Sequence, residues 1–418
     1  MVTRRFSPGI RTALRIDIAA AVLLAVFAGL TGPFVGLILR RDLGATPFQL
    51  SVMSAATGAS LLLSLAWAQA LGGRAPLPYL VWPAVVARGA FLLVPLAAGA
   101  WSFAGLVVAS SVFGAAAGPA QAAVVERVYP RAERGRALGV VKMAGAALGI
   151  VLALAAGQLF ERVDWRWIFP AAAVVGMAAS LTQGRLRVPE PPAGGDTASG
   201  PALAGAWATV RDDHGFRRLL VAAFLFGAGC WIQTPAHPLL LVDVLNASAA
   251  QVGVFAAVAA GAALLGGAGW GWLVDRRSSL AALALMYLIG AAAPAICFAA
   301  GSPWALVGSS AADALAGVGL DLVWMLVVID AAGPRRAPQY VAIGAALAGV
   351  RGILGPLAGG LLIHAAGVRA VYLVAAALEV AAAALVVREV RRRAAATAAA
   401  GAARLDPGRG RSREAFEH

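Results

Sequence analysis

Twelve apolar stretches of about twenty residues, bounded by arginines, glycines and prolines, constrain this chain more than any other feature. They fall at Ile16–Leu39, Phe48–Leu71, Leu77–Ala97, Trp101–Val125, Arg136–Phe160, Trp165–Gly184, Arg218–Leu241, Ala249–Val274, Leu280–Ala299, Trp304–Ile329, Gln339–His364 and Arg369–Val387. At about 1.5 Å per residue, a helix of this length crosses a hydrocarbon core of roughly 30 Å. The expected fold is therefore an all-α membrane protein with twelve transmembrane helices.

Composition agrees. Of 418 residues, 61% are hydrophobic and 13% charged, against about 25% charged in soluble domains. A formal charge of +14 would point to a polyanion in a soluble chain. Here the arginines gather in loops and tails, where they encode membrane orientation, so nucleic acid is not an expected partner. With the N-terminus in the cytoplasm, only Arg40, Arg41, Arg162, Arg166 and Arg369 lie outside, and Arg88, Lys142 and Arg351 lie within spans. Both termini are thus expected on the cytoplasmic side of the plasma membrane. Arg4, Arg5, Arg11 and Arg15 precede the first apolar run as in a signal peptide, but that run is too long and reads as a retained helix.

The stretch Pro189–Pro201 (PEPPAGGDTASGP) cannot build a core and divides the chain. The expected organisation is a six-helix half over 1–184, a linker over 185–215, a second half over 216–388 and a basic tail without fixed structure over 389–418. The halves resemble each other. A shift of 202 places Gly32-Pro33 on Thr234-Pro235, Gln49 on Gln251 and Arg74 on Arg276, and a shift of 209 places Lys142 on Arg351.

The loop after the eighth stretch reads Gly271-Trp-Leu-Val-Asp275-Arg276. It resembles the Gly-x-x-x-Asp-Arg loop of the major facilitator superfamily, whose twelve spans in two halves match almost the whole chain. The resemblance implies alternating-access transport, a charge-pairing role for Asp275 with Arg276 at a cytoplasmic helix end, and a cavity lined by helices 1, 4, 7 and 10. The first-half loop has Gly73 where that Asp would stand. Gly352-Ile-Leu-Gly355-Pro356 is similar to the Gly/Pro signature of the superfamily's antiporters, although it lies in the eleventh stretch rather than the fifth. The arginine that drug/proton antiporters of the superfamily carry in helix 4 is replaced by Ser110.

Charged residues at bilayer depth cost at least about 2.5 kcal/mol on insertion scales and mark functional walls. Asp321 and Asp313 share the tenth stretch and are the candidate proton carriers, Asp321 foremost because it lies near mid-depth. Gln121, Trp231, Gln233, His237, Lys142 and Arg351 are candidate cavity residues, the two cations suiting an anionic solute or a balancing role toward Asp321. Pro33, Pro235, Gly355 and Pro356 are expected at bends and close helix crossings. Glu379, in the last stretch, reads as a structural ion-pair member. Cys230 and Cys297 lack metal-ligand spacing and read as small core residues. Neither HExxH nor clustered His/Cys ligands argue for an enzyme or a cofactor, and the single lysine, Lys142, lacks the Gly-rich loop of an ATP site. The expectation is proton-coupled efflux of a small amphipathic solute. Uptake of a small anion by symport or uniport, or a nontransporting sensor, are the alternatives.

Overall fold

The structure is a computed structural model that describes residues 6–189, 211 and 213–405. Most of the expected linker, 190–210 and 212, and the end of the tail, 406–418, lie outside the described residues. Among the described residues every regular element is helical. In chain order the first half contains α1 (Pro8–Arg41), α2 (Pro47–Leu71), α3 (Pro76–Leu96), α4 (Ala100–Val128), α5 (Arg131–Phe160) and α6 (Trp165–Gln183). The second contains α7 (His214–Ile232), α8 (Ala249–Arg276), α9 (Ser279–Ala299), α10 (Pro303–Ala331), α11 (Ile343–Ala366) and α12 (Val368–Leu405). Eleven of the twelve are long and apolar enough to cross a membrane. The other, α6, matches α7 in length at 19 residues and is diluted by Arg166 and Gln183 near its ends.

Helix starts follow from capping chemistry. Thr46 and Gln49 close a capping box on α2, and Ser248 and Gln251 close the same box on α8. These positions correspond under the 202-residue shift, so the repeat extends to the hydrogen bonds that satisfy orphan N–H groups. Both leading helices also break where expected. The regular part of α1 ends at Thr31 and passes through a 3₁₀ turn over Gly32–Phe34, while α7 stops at Ile232 and resumes at Ala236 after Pro235.

Two expected boundaries differ. The backbone from Leu306 to Ala366 is helical throughout, without the separate loop expected between α10 and α11. It is not a straight rod: a β-carbon on Gly344 would stand 3.7 Å from Trp324 Nε1, whereas twenty residues of straight helix span about 30 Å. The segment doubles back as a hairpin. At the C-terminus α12 runs on to Leu405, so the first part of the tail expected without structure is helical.

The buried core joins the halves at one end only. A cluster at the end remote from the termini takes Phe34, Leu37 and Phe160 from the first half and Ile232, Leu239 and Tyr372 from the second. At the end carrying the termini, separate clusters form in the second half, around Phe216, Tyr287 and Val327, and in the first, around Leu14, Tyr129 and Val124. The halves cross along two seams, α2 on α11 and α5 on α8. Small residues set these crossings. A β-carbon on Gly157 would lie 2.9 Å from the Ala249 carbonyl oxygen, and Gly58 meets the backbone of Gly352.

Candidate functional site

The gap between the halves is a cavity of about 630 Å³. The breaks in α1 and α7 face it: Gly32, Pro33 and Gly36 come from α1, and Cys230, Gln233, Thr234, His237 and Pro238 from α7 and the turn after it. α10 supplies Ser309, Ser310 and Asp313, α9 supplies Cys297, and α8 supplies an apolar wall including Val252 and Phe255. Proline at a break removes a ladder hydrogen bond, so carbonyls and polar side chains become free to face the lumen. Gly36 against Pro238 and the ion pair between Arg40 Nε and Asp243 Oδ1, at 2.9 Å, shut the end away from the termini. Arg40 also donates to the Ala45 carbonyl, and the Glu161 carboxylate accepts from the Ala250 N–H across the same end.

Asp313 is the single carboxylate of this lining, and no Lys or Arg accompanies it. Its side chain is open to the cavity, and among the described residues no hydrogen bond or salt bridge holds it. Asp321, ranked first by depth, is outside the lining. It lies about 80° around α10, on the exposed side opposite the buried stripe of Ala312, Ala316, Val323 and Val327.

The other candidates divide. Gln233 and His237 line the cavity, and Tyr372 Oη lies 3.5 Å from His237 Nδ1. Gln121 does not; it accepts from Gln183 at 3.4 Å within the first half. Trp231 turns away and packs where a β-carbon on Gly355 would fall. Lys142 is exposed on α5, outside the lining. Arg351 is also absent from the lining: its guanidinium lies beside Gly227, donates to the Ala223 carbonyl at 2.6 Å and keeps a buried Nε without a partner. A long cation on a correctly placed helix has been drawn between helices by a glycine gap. Asp275 and Arg276 form no ion pair among the described residues; Arg276 lies over the Trp272 ring at 4.6 Å. Gly73 adopts φ +75°, a left-handed turn that favours glycine, which explains why the first-half loop lacks an Asp. Pro356 is accommodated within an unbroken helix. Of the predicted wall helices, 1, 7 and 10 contribute to this cavity and helix 4 does not.

Sequence reasoning missed the two cysteines, which both reach the cavity wall, Cys297 with its sulfur 3.1 Å from Ser309 Oγ. It also missed Asp17, buried in α1 and bonded by the Tyr129 hydroxyl at 2.5 Å, a contact of 112 residues in separation with no local signal.

Two six-helix halves meeting around a central cavity, sealed at one end, define a polytopic membrane carrier rather than an enzyme. The family model of the Major Facilitator Superfamily matches residues 18–229 and 219–413, and the chain belongs to that superfamily of transporters. No curated relative matches the sequence. Among solved structures, it is similar to a bacterial homologue of the human lysosomal transporter Spinster in an inward-facing, unoccupied conformation, with a TM-score of 0.65 at 15% identity over 92% of this chain and 98% of that one. The nucleoside transporter NupG gives a TM-score of 0.73 at 11% identity over 90% and 99%. At these identities the likeness is one of fold.

Proposed function

We propose that the chain exports a small amphipathic solute, neutral or cationic, in exchange for protons, with Asp313 as the residue that holds proton and solute in turn. The observation that carries this reading is an unpartnered carboxylate in a largely apolar cavity. A group of that kind binds a proton or an organic cation in the same place, which is the competition an exchanger requires. An anionic solute fits less well, since Arg351 and Lys142 stand outside the lining. The arginine distribution supports a cytoplasmic termini end in a plasma-membrane protein, and on that reading the arrangement described is the inward-facing state. The test is proton movement in proteoliposomes with an imposed pH gradient and an internal pH dye, as amphipathic cations and small organic anions are added. Cations should dissipate the gradient in the wild type and Asp321→Asn, and fail to do so in Asp313→Asn. Solute flux without proton movement would overturn the exchange.

A further inference from the structure

α12 supplies no residue to the cavity wall, yet two of its polar side chains reach wall residues of α7. Tyr372 meets His237, and Glu379 accepts from the Cys230 thiol at 3.8 Å. The pairs are seven residues apart on both antiparallel strands of contact, two turns of α12 and, on the other side, the break between Ile232 and Ala236. They form a two-rung polar ladder behind the cavity. Helix α7 is shaped to hold the second rung: a β-carbon on Gly229 would stand 2.6 Å from Glu379 Cγ and 2.9 Å from Oε1.

Glu379 is 1% exposed. It was expected in an ion pair, and among the described residues it has none. Its hydrogen-bond partner is a thiol, a weak donor. The groups that act on it are Cys230 from α7 and Asp313 from α10. Arg351 from α11 and Tyr287 from α9 act on the same thiol or on each other, while Tyr372 on its own helix faces Cys297 and Asp313. Arg351, the nearby cation, is committed to the Ala223 carbonyl. A permanently ionised carboxylate left unpaired at this depth costs several kcal/mol, and such residues persist where the charge changes during function.

We propose that Glu379 is a second proton-binding carboxylate of the transport cycle, loaded from and emptied into the cavity at Cys230. It takes one proton from cavity water, passing from carboxylate to carboxylic acid, and returns that proton to cavity water when the cavity faces the other side. The assignment rests on the proton-exchange reading above and adds a site to it.

The test uses the full chain in proteoliposomes with tetraphenylphosphonium as probe, comparing wild type, Glu379→Gln and Glu379→Asp. At zero membrane potential each exchanged proton contributes about a tenfold solute ratio per pH unit. Wild type should balance at about a hundredfold ratio per pH unit and Glu379→Gln at about tenfold. Glu379→Asp should keep the wild-type ratio at a lower rate. Infrared difference spectra after a pH step should show a carboxylic-acid carbonyl band in wild type that is missing in Glu379→Gln. That readout needs only folded protein, and a purely structural Glu379 would not move it. If wild type moves no protons, the exchange reading falls and this proposal with it. If wild type couples while Glu379→Gln keeps the same ratio and the same infrared bands, only this proposal falls.

Discussion

Replacing Gly253 with valine should open the sealed end of the cavity. A β-carbon on Gly253 would stand 2.5 Å from the Ala153 carbonyl oxygen and 2.9 Å from Gly157 Cα. Both are backbone atoms of α5 that cannot rotate aside, so α5 and α8 must part to admit the new side chain. Overpacking of this kind costs about 1–3 kcal/mol. In alternating access the cost falls on the state whose α5/α8 seam is shut and is relieved in the state that opens there. A penalty of that size on one of two states moves their ratio by about 5- to 150-fold. Nitroxide labels at Arg162 and Val244, both exposed near the sealed end, would report the shift as a longer spin–spin distance in a background lacking Cys230 and Cys297. An unchanged distance distribution in a folded Gly253→Val protein would refute the reasoning, because the seam would then not separate between states.

The same labels test the latch: Asp243→Asn, or high salt in the wild type, should raise the open population only a few-fold, since exposed ion pairs contribute about 1 kcal/mol or less. Thr46→Ala and Ser248→Ala should each lower stability by about 1 kcal/mol, measured by thermal unfolding in detergent, because each removes the acceptor of a capping box at repeat-related positions. Asp213 caps α7 outside the membrane. Burial alone would raise its pKa, but the N–H groups of Phe216 and Gly215, the Tyr340 hydroxyl and the Arg393 guanidinium together hold it below the usual carboxylate value. A folded-state pKa below the unfolded one means this stability is present above about pH 4 and is lost as pH falls through the depressed value. Asp213→Ala should therefore be less stable than wild type at pH 7 by about 1 kcal/mol, with the difference vanishing in acid.

The twelve helices were legible because membrane crossing imposes a length and a polarity that few other structures share. The breaks at Pro33 and Pro235 were legible because each depends on residues within a few positions of one another. Side-chain direction was not. Asp313 and Asp321 sit on one helix, eight residues apart, and what decides between them is the rotation of α10. That rotation is set by Ala312, Ala316, Val323 and Val327 packing on their neighbours, which no reading of depth contains. Arg351 was misplaced for a related reason: its direction is fixed by Gly227, an absent side chain on a different helix.

The position of Glu379 follows the same logic with a different outcome. A carboxylate on a helix that contributes nothing to the cavity wall invites a structural reading, since it has no lumen to face. What changes the reading is Gly229, whose missing side chain lets α12 approach α7 closely enough for Glu379 to lie directly behind Cys230. The glycine that lets the two helices close up brings a buried acid within one side chain of the lumen. A helix outside the wall thereby gains polar access to the cavity, through two contacts whose residues are spaced seven apart on each side. α7 and α12 belong to the same half, so both rungs stay together as the halves rock. On the proposed cycle, Cys230 and the acid behind it would turn with that half from one side of the membrane to the other, together with Asp313 on α10.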